Sequence, residues 1–242
     1  IGVAQPHGET EKLLTRLDLS EKGLEKVKKS LEKPDKAARE LLNYFRQRQS
    51  VKHPVKRVRT SSRPENIADD ADFKIATDAL EHILIGQRAY SSHFCGEDID
   101  WNTRPVSDME WVWQLNRMYF WNSMAKVYAQ TGDEKYAREW GDQLIDWTED
   151  NPRDEDHKYA WRSIEAGIRG HSWTNHYRRF IDSPSFTEEV LVAFLNSLYD
   201  HAEYLMTVYR SGSNWGLMEA EGLAFIGFTF PEFKDAEKWR NE

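Results

Sequence analysis

From Ser107 to Trp239 the sequence is a succession of helical periods divided by short, sharp breaks, and that rhythm limits the fold more than any other feature. The first period, SDMEWVWQLNRMYFWNSMAKVYAQTGD over 107–133, opens on Ser107 with Glu110 three residues later, the pattern of a capping box, and stops at TGD. EKYAREWGDQLIDWTEDNP over 134–152 repeats the form and stops at Asn-Pro. WRSIEAGIRGHSWTNHYRRFI (161–181), SFTEEVLVAFLNSLYDHAEYLMTVYR (185–210), NWGLMEAEGLAFIGF (214–228) and PEFKDAEKW (231–239) follow. Consecutive helices joined by turns this short lie antiparallel, so the spacing predicts a run of αα-hairpins. Such hairpins build solenoids or α/α toroids. The turn TGDEKYA resembles that of tetratricopeptide arrays, but no fixed repeat period is visible. The expectation is an all-α chain of antiparallel αα-hairpins forming part of an incomplete α/α toroid.

Upstream the signal is more mixed. EKLLTRL (11–17), GLEKVKKSL (23–31) and KAARELLNYF (36–45) have helical spacing, whereas the prolines and hydroxyls of SVKHPVKRVRTSSRP (50–64) point to a linker or short strand. Charge divides at the same place. Residues 1–64 carry net +8 and residues 65–242 net −16, so a basic helical segment and linker is expected to precede an acidic body. The basic charges are spaced along amphipathic periods rather than clustered with aromatics, the pattern of solvated helix faces and not of a nucleic-acid surface. IADDADFKIATDAL (67–80) fits a short helix or a strand. GQRAYSSHFCGEDIDWNTRPV (86–106) reads as a long irregular loop, a type that often carries function.

Several classes of chemistry have no support. Cys95 is the single cysteine, which rules out an internal disulfide. No apolar run approaches the roughly 20 residues that span a bilayer, so no membrane partner is expected. His171 and His176 are five apart rather than in the HExxH spacing, and His93 beside Cys95 is too sparse for a ligand set, so no metal is expected. GxGxxG, GxxxxGKS/T and GxSxG are absent.

Other residues stand out by type and position. Trp111 and Trp121, on a strongly periodic stretch, read as core, whereas Trp101, Trp161 and Trp215 fall in a loop or at segment starts, where indoles stack on sugars. Arg162, Glu165 and Arg169 share one helix face, either as an exposed ion-pair ladder or as guanidinium forks for carboxylates and sulfates. Asp98 with Asp100, or Glu219 with Glu221, have the composition of a glycosidase acid pair, with surface or capping roles the alternative. In SGSNWGLME, Ser213 or Asn214 is placed to cap a helix.

GEDIDWNTRPVSDMEWVWQLNRMYFW, YAQTGDEKYAREWGDQLIDWTEDNP, AWRSIEAGIRGHSW and SNWGLMEAEGLAFIGFTFPEFKDAEKW, in that order, resemble the heparinase II/III family of polysaccharide lyases, most closely its heparinase III branch acting on heparan sulfate. The resemblance covers roughly residues 40–242. It implies an N-terminal incomplete α/α toroid and a C-terminal antiparallel β-sandwich, with an acidic polysaccharide in the cleft between them, cleaved by β-elimination. It maps the family's carboxylate-neutralising Asn onto Asn214, and makes Trp101, Arg104, Arg117, Trp161, Arg162, Glu165, Arg169 and Trp215 candidate substrate contacts. The family's catalytic Tyr and His have no matching position; Tyr90, Tyr177 and Tyr209 all precede the expected one. The expectation is therefore an N-terminal portion, inactive alone, that needs the β-sandwich as its partner. No cofactor is expected, apart from a structural metal that the sandwich is free to carry, and family resemblance implies a periplasmic or secreted location. A toroid glycoside hydrolase and a non-catalytic helical-repeat binding module remain open. The net −16 body makes long-range attraction of a polyanion unfavourable, which fits sparsely sulfated substrates held by local arginines.

Overall fold

The apolar stripes of the sequence are buried between two layers of helices. The structure, a computed structural model, describes residues 6–48, 67–208 and 212–241. Along the chain come α1 (Pro6–Arg16), α2 (Glu25–Lys28), α3 (Pro34–Gln47) and α4 (Asp70–Leu80). A two-residue strand pair follows, β1 (Ile83–Leu84) with β2 (His93–Phe94). Then come α5 (Met109–Leu115), α6 (Phe120–Thr131), α7 (Glu134–Asp150), α8 (Ser163–Phe180), α9 (Glu188–Val208), α10 (Asn214–Thr229) and α11 (Ala236–Asn241).

Contacts fix the directions. Along α6 and α8, Arg117 meets Glu165, Trp121 meets Trp173 and Tyr128 meets Phe180, so the two run parallel. Along α8 and α10, Arg162 meets Trp215, Gly167 meets Met218 and His171 meets Phe225, again parallel. In the other layer Gly141 of α7 meets Val190 of α9 and Trp147 meets His201. Thr77 and Ala79 of α4 contact Tyr136 and Gln143 of α7. Inner helices α6, α8 and α10 thus share one direction, and outer helices α4, α7 and α9 the opposite one. This is the alternation of an α/α toroid, of which the chain forms part. Between the layers lies an aromatic core in which Trp121, Trp140, Trp147 and Trp173 are fully buried.

The N-terminal helices pack on the outer layer. Arg16 of α1 donates to Asn196 Oδ1 of α9 at 2.9 Å and pairs with Asp200. Arg46 of α3 donates to the carbonyls of Ile181, Ser183 and Phe186, closing the turn before α9. Arg48 and Tyr44 both donate to buried Glu232 at 2.7 Å. The expected linker over 50–64, and with it the boundary at 64, lies outside the described residues.

Of the two readings of 67–80 the helix holds, over Asp70–Leu80, capped by Asp69 with Asp72 reciprocating. Two other expectations change. The 86–106 loop contains one strand of the short pair. The single period over 107–133 is two helices: its cap is Asp108, not Ser107, and it breaks at 116–119, where Met118 has φ 50°. The break has a physical reason. The Asn116 carbonyl, which a continuing helix would use at residue 120, accepts from Arg169 Nη1 at 2.9 Å instead.

Helices α8 and α10 approach backbone to backbone. A Cβ on Gly222 would lie 2.2 Å from the Gly167 carbonyl oxygen, and one on Gly167 would lie 2.4 Å from that of Met218. No side chain can yield there, since the obstacle is main chain. Gly222→Ala is expected to cost about 1–3 kcal/mol or more in denaturant unfolding, as overpacking does. Gly8→Ala in α1, whose Cβ meets nothing within 4 Å, should instead be neutral or stabilising by up to about 1 kcal/mol. Equal effects of the two would show that the α8–α10 contact is not tight.

Candidate functional site

Because the inner helices are parallel, their N-termini gather on one rim. There the turn 116–119 enters α6, Arg162 enters α8 and Ser213 enters α10. Ser213, in extended conformation, is the cap: its Oγ accepts from the Gly216 amide at 3.1 Å. The capping duty thus falls to the serine, and Asn214, the first helical residue, keeps an exposed side-chain amide. No carboxylate of α10 itself lies in its first turn to offset the positive end of its dipole.

Beside it lies an ionic and aromatic cluster. The Arg162 guanidinium sits 3.6 Å from the Trp113 ring centroid and 4.8 Å from that of Trp215. Its Nε is 3.4 Å from Glu165 Oε2. Glu165 is completely buried and accepts at Oε1 from Arg117 Nη2 at 2.7 Å and Nε at 3.1 Å. Arg117 also faces Glu110 at 3.2 Å. Burial works against the Arg117 charge, but the hydrogen bonds it donates to Glu165 and the negative charge of that carboxylate outweigh this and raise the pKa. Two guanidiniums thus meet two carboxylates at the rim.

Arg169 departs from the expected ladder. It is fully buried, 4.4 Å over Trp147 and 5.5 Å over Trp161, and donates from Nε to His201 Nε2 at 2.8 Å. Burial pushes its pKa down to about 9, which still leaves it charged at neutral pH. His201, whose Nδ1 donates to the Ser197 carbonyl at 2.7 Å, is held neutral by burial and by the Arg169 charge. With Glu165 and Arg169 at zero exposure, the exposed-ladder alternative is excluded, and Arg169 serves the core and the 116–119 break.

The other sequence candidates scatter. Trp101 is buried, its Nε1 donating to Asp146 at 2.7 Å, and Trp161 is buried against His201, its Nε1 donating to the Asn151 carbonyl at 2.8 Å. In this packing neither offers a ring face to a sugar. Trp215 is half-buried at the rim, and Arg104 is exposed on the loop before α5. Tyr177 lies in the core, Tyr90 is exposed on a loop, and Tyr209 falls outside the described residues. His171 lies 3.5 Å from Glu221 of α10, whereas His176 bonds Asn122 of α6 at 2.9 Å, so the two imidazoles serve different neighbours.

The acidic candidates have other structural partners. Asp100 caps its own turn through Asn102 and Thr103, Asp98 faces Asp146 and Asp150, Glu219 is buried and Glu221 meets His171. Sequence reasoning missed Trp113, Glu110 and Asn116 as parts of this region. Trp113 and Asn116 meet Arg162 and Arg169 of a distant segment, and Glu110 joins the cluster through Arg117, which is itself bound to the distant Glu165, so no local pattern marks them.

A family model described as "Heparinase II/III N-terminus" matches residues 13–242, which extends the likeness well upstream of residue 40. The chain is 39% identical over 247 aligned residues to a heparin-sulfate lyase of Pedobacter heparinus, covering 98% of this chain and 37% of the relative. It is 36% identical over 266 aligned residues to a heparin-sulfate lyase of Bacteroides stercoris, covering 99% and 39%. Among solved structures, heparan sulfate lyase HepC from Pedobacter heparinus matches with TM-score 0.85 at 38% identity, over 95% of this chain and 37% of that one. A heparinase III with methylated lysines matches with TM-score 0.86 at 34% identity, over 95% and 38%. The chain thus spans less than two-fifths of the length of these relatives.

Between the C-terminal end of α7 and the loop before α5, oxygens of Asp98, Asp146 and Asp150 lie within 4.8 Å of one another. Burial, resisted by the Trp101 hydrogen bond and reinforced by the charges of Asp150 and Asp98, pushes Asp146 up to about 6. Below its unfolded-state value the group is protonated in both states and costs nothing. Between there and about 6 the folded form binds the extra proton, so stability falls as pH rises through that window and the penalty is complete above it. Asp98→Asn removes one facing charge. It should therefore raise the melting temperature more at about pH 8 than at about pH 4, and a gain independent of pH would exclude charge repulsion as its cause.

Proposed function

Since the chain belongs to the heparinase II/III family, we propose that it supplies the toroid portion of a polysaccharide lyase that cleaves heparan sulfate or a related uronic-acid glycosaminoglycan by β-elimination. The observation that carries this reading is Asn214, an exposed amide on the first turn of α10, relieved of capping by Ser213 and set beside Trp215 and Arg162.

The chemistry calls for such a group. The C5 proton of a uronate is a very weak acid while the neighbouring carboxylate is anionic, because its loss places a second negative charge beside the first. An amide N–H that hydrogen-bonds the carboxylate stabilises the enediolate as it develops. The positive end of α10 adds to the same stabilisation. A base then removes the C5 proton, the C4–O4 bond breaks as an acid protonates O4, and a C4–C5 double bond remains. In the family those two tasks belong to a Tyr and a His. In this reading they come from elements outside this chain, a β-sandwich closes the cleft opposite the rim, no cofactor takes part, and the enzyme works in the periplasm or outside the cell.

Charge balance at the rim supports a weakly sulfated substrate. Arg117 and Arg162 are matched by Glu110 and Glu165, and Arg169 is buried, so this cluster holds no surplus positive charge for a dense polyanion.

In the full-length gene product, Asn214→Ala should lower kcat on heparan sulfate about 100-fold or more, the usual cost of one lost oxyanion donor. Asn214→Asp, which adds the wrong charge, should be no better. Ultraviolet absorbance of the unsaturated uronate reports both. Near-normal turnover in Asn214→Ala would remove the amide from the mechanism, and products without the double bond would replace the lyase by a hydrolase.

A further inference from the structure

The first turn of α10 has little of its own to hold it. Gly212, at φ 88°, leads into it, and Ser213, Asn214 and Leu217 are all exposed, Leu217 at 68%. Gly216 is buried but has no side chain, which leaves Trp215 as the side chain that anchors the turn. Arg162 lies over the Trp215 ring at 4.8 Å and over Trp113 of α5 at 3.6 Å. Arg162 is in turn tied through Nε to Glu165, itself fixed by two hydrogen bonds from Arg117.

We infer that Arg162 is a positioning residue: in contact with both Trp113 and Trp215 and paired with Glu165, it fixes the first turn of α10 and, through it, the amide of Asn214. The inference rests on the reading of Asn214 as the carboxylate-binding group. It reassigns Arg162 from substrate contact to support, because the guanidinium lies 3.6 Å from one indole centroid and 4.8 Å from the other, Nε faces Glu165 at 3.4 Å, and Nη1 is buried without a hydrogen-bond partner among the described residues. A planar, delocalised cation suits this place, since it stacks on two rings while keeping in-plane N–H groups for a carboxylate. Lysine offers a point charge and cannot bridge both rings in that way.

The test uses the full-length gene product with Arg162→Met, Arg162→Lys, Asn214→Ala and the double variant Arg162→Met/Asn214→Ala. Arg162→Lys keeps a cation facing Glu165 and so guards against simple unfolding. Both single Arg162 variants should lower kcat on heparan sulfate about 10- to 100-fold, the scale of a small misplacement of a reacting group, with KM changed by no more than about twofold. In the Asn214→Ala background Arg162→Met should cost little more, because the group it positions is already gone. Hydrogen exchange should show the amides of 215–218 opening faster in Arg162→Met, with the core of α8 unchanged. A rise in KM at constant kcat, a full multiplicative loss in the double variant, or unchanged exchange at 215–218 would each overturn the inference. Full activity of Asn214→Ala would instead remove the role of the amide, and the exchange measurement would still decide whether Arg162 holds the turn.

Discussion

The main-chain contact between α8 and α10 is the constraint on which the rim depends. Gly167, Gly170 and Gly222 let the two backbones touch, and a Cβ at any of them would meet main-chain atoms under 3.0 Å away. At that separation the helices hold a single parallel register, with Arg162 level with Trp215 and His171 level with Phe225. Their N-termini therefore open on the same side. A looser contact would still bury apolar surface, but it would not hold an arginine from one helix entry over an indole from the other.

Buried charge shapes the same region. Glu165 is fully inside the protein and is stabilised there by Arg117 and Arg162, and removing a partner from such a pair typically costs about 3–5 kcal/mol because the remaining charge is stranded. Arg169 makes the complementary use of burial. It gives one N–H to neutral His201 and another to the Asn116 carbonyl, ending α5 and opening the turn that carries Arg117. The break between α5 and α6 and the support of the rim are thus consequences of one face of α8.

The role proposed for Asn214 makes two demands on this arrangement. An amide that neutralises a carboxylate must be free of other partners and held still, and the two conflict at a glycine-flanked helix entry. Here Ser213 takes the capping bond, while Trp215 carries the anchoring. The support comes from outside the α10 helix, which leaves the exposed side of its first turn clear for a ligand.

Much of this was legible in the chain. Helical periodicity and breaks at TGD, Asn-Pro and SGS determined the helices from 134 to 229, their antiparallel succession, and the place of Asn214 at a helix start, because each depends on local backbone preference and on the spacing of apolar residues; the last one, expected over 231–239, forms only over Ala236–Asn241. Tertiary structure alone decided which of the marked residues face solvent. Arg162, Glu165 and Arg169 have the spacing of a surface ladder, yet two are wholly buried, and Trp101 and Trp161 left their loop and segment start for the core. Periodicity reports that a helix has a face. It does not report which distant helices, loops and charges will cover that face, and burial is a property of those neighbours.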